Sequence, residues 1–168
     1  MKFETSLLNR IIQNSFIKKS LLYFMVVGVI FFLDRISKIL IINHQIKNNI
    51  IFVNDYLNLT LVWNTGVGFG LLDFNISLIY HLITLIIFLV LTFIVYLLYI
   101  AENYVKYAYL LVLGGALGNF YDRVVYYSVP DFIDFHYNRY HWFTFNVADI
   151  FITIGILLLL LNEFKLKK

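Results

Sequence analysis

The chain has 168 residues, of which 61% are apolar, 19% aromatic and 14% charged, and its mean hydropathy is +0.82. A soluble domain is about half apolar and about a quarter charged. The excess of apolar residues therefore excludes an ordinary soluble enzyme and indicates a single polytopic membrane domain covering 1–168. The absence of cysteine excludes disulfides and a cysteine nucleophile, and a net charge of +3 is too small to indicate nucleic-acid binding.

Four apolar segments have about the 20 residues that a helix needs to cross a bilayer. They lie near residues 21–43, 78–100, 104–121 and 145–164. Basic residues precede the first segment, follow the last and occupy the link between the second and third. By the positive-inside rule both termini are cytoplasmic, and the other two connections face the outside. The first segment is expected to be a retained helix, because no small-residue cleavage site follows it.

The first outer connection predicts a small β platform near residues 48–70. Residues 50–63 are rich in β-branched and aromatic side chains that partly alternate with polar ones, a pattern typical of short strands. A glycine-rich turn follows at residues 64–70. The predicted fold class is thus an all-α membrane bundle of four transmembrane helices with a small extracytoplasmic β platform.

Ionisable side chains inside an apolar span are costly, so each one is a candidate functional residue. Asp34 and Lys38 lie four residues apart in the first helix, a spacing that places both on one face. They predict a supporting ion pair rather than a catalytic one.

The motif N-x-x-D occurs twice, at Asn119–Asp122 and Asn146–Asp149, at the end of the third predicted helix and the start of the fourth. Three residues make nearly one turn, so amide and carboxylate share a face in each copy. The third helix runs outward and the fourth inward, which brings both motifs to the outer membrane surface.

Four carboxylates can therefore gather at one membrane boundary: Asp122, Asp131, Asp134 and Asp149. Two carboxylates in a low-dielectric site share one proton, which separates a general acid from a general base. The residues alone do not decide which acid pairs with Asp149, and simple capping of helix ends is the alternative.

Other functions have weaker support in the sequence. The four histidines lack metal-ligand spacing, so neither a metal nor another cofactor is expected. A carboxylate–histidine metal site at His136 and His141 stays open as an alternative. A proton-coupled transporter would need ionisable residues throughout the bilayer depth, and a non-catalytic scaffold would make the two N-x-x-D motifs coincidental.

Five short motifs, taken together and in order, resemble those of the bacterial lipoprotein signal peptidases, also called signal peptidase II. They are D-x-x-S-K in the first helix, N-T-G-x-x-F-G after the predicted strands, G-N-x-x-D-R, V-x-D-F and F-N-x-A-D. The resemblance covers roughly residues 30–160.

The resemblance implies that Asp131 and Asp149 form a catalytic pair. It implies supporting or substrate-binding roles for the matching residues Asn64, Asn119, Asp122, Arg123, Asn146, Asp34 and Lys38. Two positions depart from the family pattern, Pro130 before the first catalytic aspartate and the pair Val67–Gly68 in the turn. Both departures are expected to alter loop geometry more than activity.

The resemblance also implies an activity and a location. An aspartyl endopeptidase of this kind removes the signal peptide from diacylglyceryl-modified prolipoproteins by direct attack of water, at the outer face of the bacterial cytoplasmic (inner) membrane. The implied partners are that substrate, membrane lipid and a globomycin-type inhibitor. A monomer is expected.

Overall fold

The computed structural model describes residues 2–45, 50–66, 77–102, 104–138 and 140–166. Within these ranges four helices and four strands follow one another: α1 (Lys2–Gln45), β1 (Ile51–Asn54), β2 (Leu57–Asn64), α2 (Ser77–Ile100), α3 (Val105–Tyr126), β3 (Val129–Tyr137), β4 (Tyr140–Phe145) and α4 (Val147–Leu166). The chain is mostly helical with a small antiparallel sheet, as the sequence predicts. The first helix is longer than expected, because α1 continues through the basic segment to Lys2.

Two stretches are long and apolar enough to cross a membrane, Tyr80–Ile100 in α2 and Val147–Lys165 in α4, with mean hydropathies of 2.9 and 2.1. Among the described residues, α1 and α3 do not reach this composition. Charged residues such as Asp34 and Asp122 interrupt their apolar runs and lower their mean hydropathy. The four-span arrangement is therefore not confirmed by helix composition and stays a prediction.

Large apolar side chains cover the outer surface of the helices. Phe24, Leu89 and Leu161 are 77%, 57% and 58% exposed. Only 6% of the most apolar 18-residue stretch of α2, and 11% of that of α4, is buried within the protein. Soluble proteins rarely expose contiguous apolar surface on this scale, so these faces fit contact with lipid.

The four strands form one antiparallel sheet in the order β1-β2-β3-β4. Strands β1 and β2 agree with the predicted platform, although its positions 48, 49 and 67–70 lie outside the described residues. The connection over 122–144, for which the sequence predicts no strands, forms the β3–β4 hairpin over much of its length. Four of the six residues of β4 are Phe, Trp or Tyr. Asn138 turns the chain with a φ of 54° that asparagine tolerates.

Pro130 lies near the start of β3, a strand that pairs with β2 on one side and, farther along, with β4 on the other. At this position β3 pairs only with β2, opposite Trp63, because its pairing with β4 begins at Ile133. Proline lacks an N–H and is confined to strand edges and ends. Pro130 is therefore accommodated where one side of β3 has no partner strand.

Helix α3 lies at the centre of the bundle and approaches α1 and α4 closely at glycines. A Cβ at Gly115 would lie 2.4 Å from the carbonyl oxygen of Ala148, and one at Gly114 would lie 2.9 Å from Cβ of Ile30. No side chain fits at these contacts without separating the helices.

We expect Gly115→Ala to destabilise the protein by about 1–3 kcal/mol, because the new methyl group collides with the α4 backbone. The matched control is Gly28→Ala in α1, where nothing lies within 4 Å of the added carbon. Removal of a helical glycine alone should stabilise by about 0.5–1 kcal/mol. In detergent, the unfolding temperature should fall below that of wild type for Gly115→Ala and rise above it for Gly28→Ala. Equal unfolding temperatures would contradict the close helix contact.

Candidate active site

Four charged side chains lie between α1 and α3, and we call them the buried charge cluster: Asp34, Arg35, Lys38 and Asp122. Lys38 Nζ donates to Asp34 Oδ2 and to Asp122 Oδ2, each at 2.7 Å. Arg35 donates to the other oxygen of Asp122. Three of the four are fully buried and Arg35 is nearly so. The predicted Asp34–Lys38 pair is thus present within a larger cluster whose formal charges cancel.

Sequence reasoning did not single out Arg35 as a functional residue. Its guanidinium also lies over the rings of Tyr121 and Tyr126, 4.8 and 5.4 Å from their centroids. The position of Arg35 three residues before Lys38 was the available signal, since this spacing makes the two side chains neighbours on α1.

The buried charge cluster reaches the start of α4 by two hydrogen-bonded routes. Lys38 Nζ donates to Asn119 Oδ1 at 2.9 Å, and Asn119 Nδ2 donates to Asp149 Oδ1 at 2.8 Å. An ammonium group can only donate, so it determines which end of the Asn119 amide faces Asp149. By the second route, Asp34 Oδ1 accepts a bond of 2.9 Å from the Ala148 N–H.

Asn146 and Asp149 cap the N-terminus of α4 reciprocally. The Asp149 N–H donates to Asn146 Oδ1 and the Asn146 N–H donates to Asp149 Oδ2, both at 3.1 Å. This is the geometry of a capping box, with asparagine and aspartate in its two places. The second N-x-x-D motif therefore holds each side chain against the backbone N–H of the other residue because it begins a helix, rather than by placing both side chains on one helical face.

Asp131 projects from β3 toward the same capping residue. Its Oδ1 accepts a bond of 2.6 Å from Asn146 Nδ2, and its Oδ2 accepts one of 2.9 Å from Asn64 Nδ2. The side chain is nearly fully buried. Asn146 thus contacts both acids, Asp131 through its side-chain amide and the Asp149 carboxylate through its backbone N–H, and the structure brings the two acids together around this residue.

The surroundings of Asp131 favour its protonated form. Burial raises the pKa of Asp131 to about 6, and the nearby Asp149 carboxylate acts in the same direction. The amide hydrogen bonds from Asn64 and Asn146 oppose the rise, because they stabilise the charged carboxylate. The pKa of Asp131 therefore lies close enough to neutrality for general acid–base chemistry.

Arg123 is buried beside the site and binds backbone carbonyls. Its Nη2 donates to Gly66 O at 3.1 Å and its Nη1 to Asn119 O at 3.2 Å. Asn64 Oδ1 accepts a bond of 2.9 Å from the Gly66 N–H, so the chain after β2 is held from two sides. The rest of the predicted turn, residues 67–70, lies outside the described residues.

Asp122 and Asp134 do not join the pair formed by Asp131 and Asp149. Asp122 belongs to the buried charge cluster. Asp134 contacts His141 within the β3–β4 hairpin, with Nδ1 to Oδ2 at 2.8 Å. Of the four acids that the sequence brings to one boundary, two meet at Asn146 and two have other partners.

A mainly apolar cavity of about 310 Å³ opens beside Asp149, between β4 and the first turns of α4. It is lined by Phe143, Phe145, Asp149, Ile150, Thr153 and Ile154. The Asp149 carboxylate is the one ionisable group of this lining. The arrangement can hold an apolar group of a ligand while presenting a carboxylate at its edge.

We expect Lys38→Met to destabilise the protein by about 3–5 kcal/mol, because it leaves the Asp34 and Asp122 carboxylates buried without their shared ammonium. The matched control is Lys19→Met, which removes an exposed lysine from the same helix. Denaturant unfolding in detergent measures both. If Lys38→Met lowers the free energy of unfolding no more than Lys19→Met does, the buried charge cluster contributes little to stability.

Comparison with known proteins gives consistent similarities. The profile of the family described as signal peptidase (SPase) II matches residues 26–165. The lipoprotein signal peptidase of Pelagibacter ubique (strain HTCC1062) is 44% identical over 149 residues, which cover 88% of this chain and 90% of that protein. The lipoprotein signal peptidase of Thermodesulfovibrio yellowstonii (strain ATCC 51303 / DSM 11347 / YP87) is 39% identical over 137 residues, covering 82% and 90%.

Solved structures also resemble this fold. A bacterial membrane enzyme solved by the in meso method at 2.3 Å resolution superposes with a TM-score of 0.71 and 29% identity, over 85% of this chain and 87% of that one. A second bacterial membrane enzyme, solved by the same method at 1.9 Å resolution, gives a TM-score of 0.68 and 28% identity, over 83% and 90%.

Proposed function

We propose that this chain, which belongs to the signal peptidase II family, removes the signal peptide from bacterial lipoprotein precursors as a protease. Relatives that carry the name lipoprotein signal peptidase match 82–90% of the chain. The family match over 26–165 includes every candidate site residue from Asp34 to Asp149.

The proposed catalytic groups are Asp131 and Asp149. The observation that carries this assignment is the contact of both acids with Asn146. Asp131 Oδ1 lies 2.6 Å from the side-chain Nδ2 of Asn146, and Asp149 Oδ2 lies 3.1 Å from its backbone N. Two carboxyl groups this closely linked in a buried site titrate as a pair and hold one proton between them near neutral pH.

In the resting enzyme we assign the proton to Asp131 and the charge to Asp149. Burial and the neighbouring carboxylate raise the pKa of Asp131 to about 6. Asp149 lies in the first turn of α4, where the helix dipole and the Asn146 N–H favour a negative charge. The pair is then divided into a general acid and a general base.

The proposed reaction is direct hydrolysis without a covalent intermediate. Asp149 accepts a proton from water, whose oxygen attacks the scissile carbonyl carbon, while Asp131 gives its proton to the carbonyl oxygen. The tetrahedral intermediate then loses a hydroxyl proton to Asp131. The leaving nitrogen takes the proton from Asp149 as the C–N bond breaks, which restores both groups to their starting states.

The exposed apolar faces of α2 and α4 support a location in the bacterial cytoplasmic membrane. In the proposed topology all four helices span it, both termini are cytoplasmic and the sheet lies on the outer face. A signal peptide is itself an apolar helix, so its cleavage site would reach the outer boundary where Asp149 begins α4. The cavity beside Asp149 would accept an apolar part of a diacylglyceryl-modified substrate, or a globomycin-type inhibitor, and we propose a monomer that needs no cofactor.

We expect Asp131→Asn and Asp149→Asn each to lower cleavage by at least about 10²–10⁴-fold, because each removes a proton-transfer group while keeping the side-chain shape. The matched control is Asp55→Asn in the exposed β1–β2 turn, which should keep full activity. The assay follows release of the signal peptide from a purified diacylated precursor in detergent, with thermal unfolding as the check on folding.

Near-normal turnover by either active-site variant would refute the catalytic pair. An unlipidated precursor assayed beside the lipidated one tests the substrate requirement. A strong chelator should leave the cleavage activity unchanged. Loss of activity on chelation would refute the metal-free reaction.

We expect Asn64→Leu to move the alkaline limb of the kcat/KM profile to higher pH. The Asn64 amide stabilises the charged form of Asp131, so its removal raises the pKa of Asp131 further above about 6. The catalytic proton is then retained to higher pH. Profiles of wild type and variant measured at subsaturating substrate give the shift, and a limb that stays in place or moves to lower pH would contradict the assignment of the proton to Asp131.

A further inference from the structure

We propose that the β3–β4 hairpin carries a separate binding site for a divalent transition-metal ion of the zinc class, with Asp134, His136 and His141 as its ligands. One potential ligand atom from each of these side chains lies within 4.8 Å of the others. The site is distinct from the proposed catalytic pair and adds a binding function that the protease reaction does not require.

The hairpin register brings the three side chains to one face. Asp134 and His136 are two residues apart on β3 and therefore point the same way. His141 is the cross-strand partner of His136, and the two imidazole rings stack with their centroids 5.3 Å apart. Local sequence and strand pairing together thus build the cluster.

The ligand spacing is close to that of a bound ion. Asp134 Oδ2 lies 2.8 Å from His141 Nδ1 and 3.8 Å from His136 Nδ1. Ligands at about 2.0–2.2 Å from a tetrahedral ion lie about 3.3–3.6 Å from one another. The two spacings thus lie on either side of this range, and side-chain rotation alone would have to adjust them.

A buried nitrogen without a partner points into this cluster. His136 is only 8% exposed, and its Nδ1 has no hydrogen-bond partner among the described residues. Leaving such a group unsatisfied costs about 1–3 kcal/mol. Coordination of a cation by the Nδ1 lone pair would satisfy it.

Asn58 supplies a second buried atom without a partner on the same face. Its Oδ1 has no hydrogen-bond partner in the described part of the chain. Asn58 pairs with Asp134 across β2 and β3, so the two side chains point to the same side of the sheet. The amide oxygen is available to accept a hydrogen bond from a metal-bound water.

The ligand set selects the class of metal. Two imidazole nitrogens with one carboxylate suit Zn²⁺ and its transition-metal neighbours, whereas Ca²⁺ and Mg²⁺ prefer ligand sets made of oxygen. Three protein ligands leave a coordination position for water. The ion would tie β3 to β4.

The proposed ion lies away from the reaction. Asp131 and Asp134 are three residues apart on β3, so their side chains project from opposite faces of the strand. Removal of the metal should therefore leave the catalytic acids in place.

The test uses the untagged, chelator-treated full chain in detergent, titrated with Zn²⁺ against a coloured competing chelator. We expect one ion per chain, and Co²⁺ in its place should give the intense visible absorption of a tetrahedral site. Neither Ca²⁺ nor Mg²⁺ should compete. His141→Ala should weaken Zn²⁺ binding by more than the roughly 10–100-fold that loss of an outer-shell partner causes.

His141 is suited to this substitution because its side chain is 59% exposed, so the fold should not depend on it. The matched control is His44→Ala, which removes another exposed imidazole and should leave binding unchanged. Absence of saturable Zn²⁺ binding, equal binding by wild type and His141→Ala, or an equal loss in His44→Ala would each overturn the proposal. Cleavage by the metal-free enzyme is measured in parallel, so failure of this site is distinguishable from failure of the protease assignment.

Discussion

The rest of the structure depends on the hydrogen bonds and ion pairs of the fully buried Lys38 ammonium group. A buried charge is tolerated only when its donors are all matched, and Lys38 finds its acceptors on two helices: Asp34 on α1, and Asn119 and Asp122 on α3. Removing Asp34 or Asp122 leaves charge uncompensated in a low-dielectric interior, and removing the Asn119 amide leaves one ammonium N–H without its acceptor. The second oxygen of Asp34 binds the backbone of α4 at Ala148, so three helices must assemble in one arrangement.

The position of the proposed catalytic acids follows from this arrangement. Helix α4 is held at its first turn by Asp34 and by the Asn119 amide, and that turn contains Asp149. Asn146 closes the cap of α4 and at the same time binds Asp131, which arrives on a strand rather than on a flexible loop. The sheet and the bundle therefore meet at Asn146, and both carboxyl groups are placed by rigid elements, as proton transfer requires.

The sequence predicted a mostly helical chain with a small sheet, because long apolar runs are a strong local signal. It also predicted the Asp34–Lys38 pair, which depends only on helical spacing. It missed the β3–β4 hairpin, because residues 129–145 mix aromatic, acidic and histidine side chains that resemble a polar connection when read without pairing partners. The choice of Asp131 over Asp134 as the partner of Asp149 was beyond periodicity, since it depends on which face of β3 meets the cap of α4; the family resemblance made that choice. The roles of Arg35 and Gly115 likewise depend on contacts between distant segments.

The most direct test of the account is the titration of the Asp131 carboxyl, followed by carbon NMR of selectively labelled protein in detergent, in wild type and in Asp149→Asn. The account predicts a wild-type titration near pH 6. It predicts a lower midpoint in the variant, because the neighbouring negative charge that helps to raise the pKa of Asp131 is gone. An unchanged midpoint, or one near the ordinary aspartate value in both proteins, would show that the two carboxyl groups do not share a proton and would contradict the proposed pair.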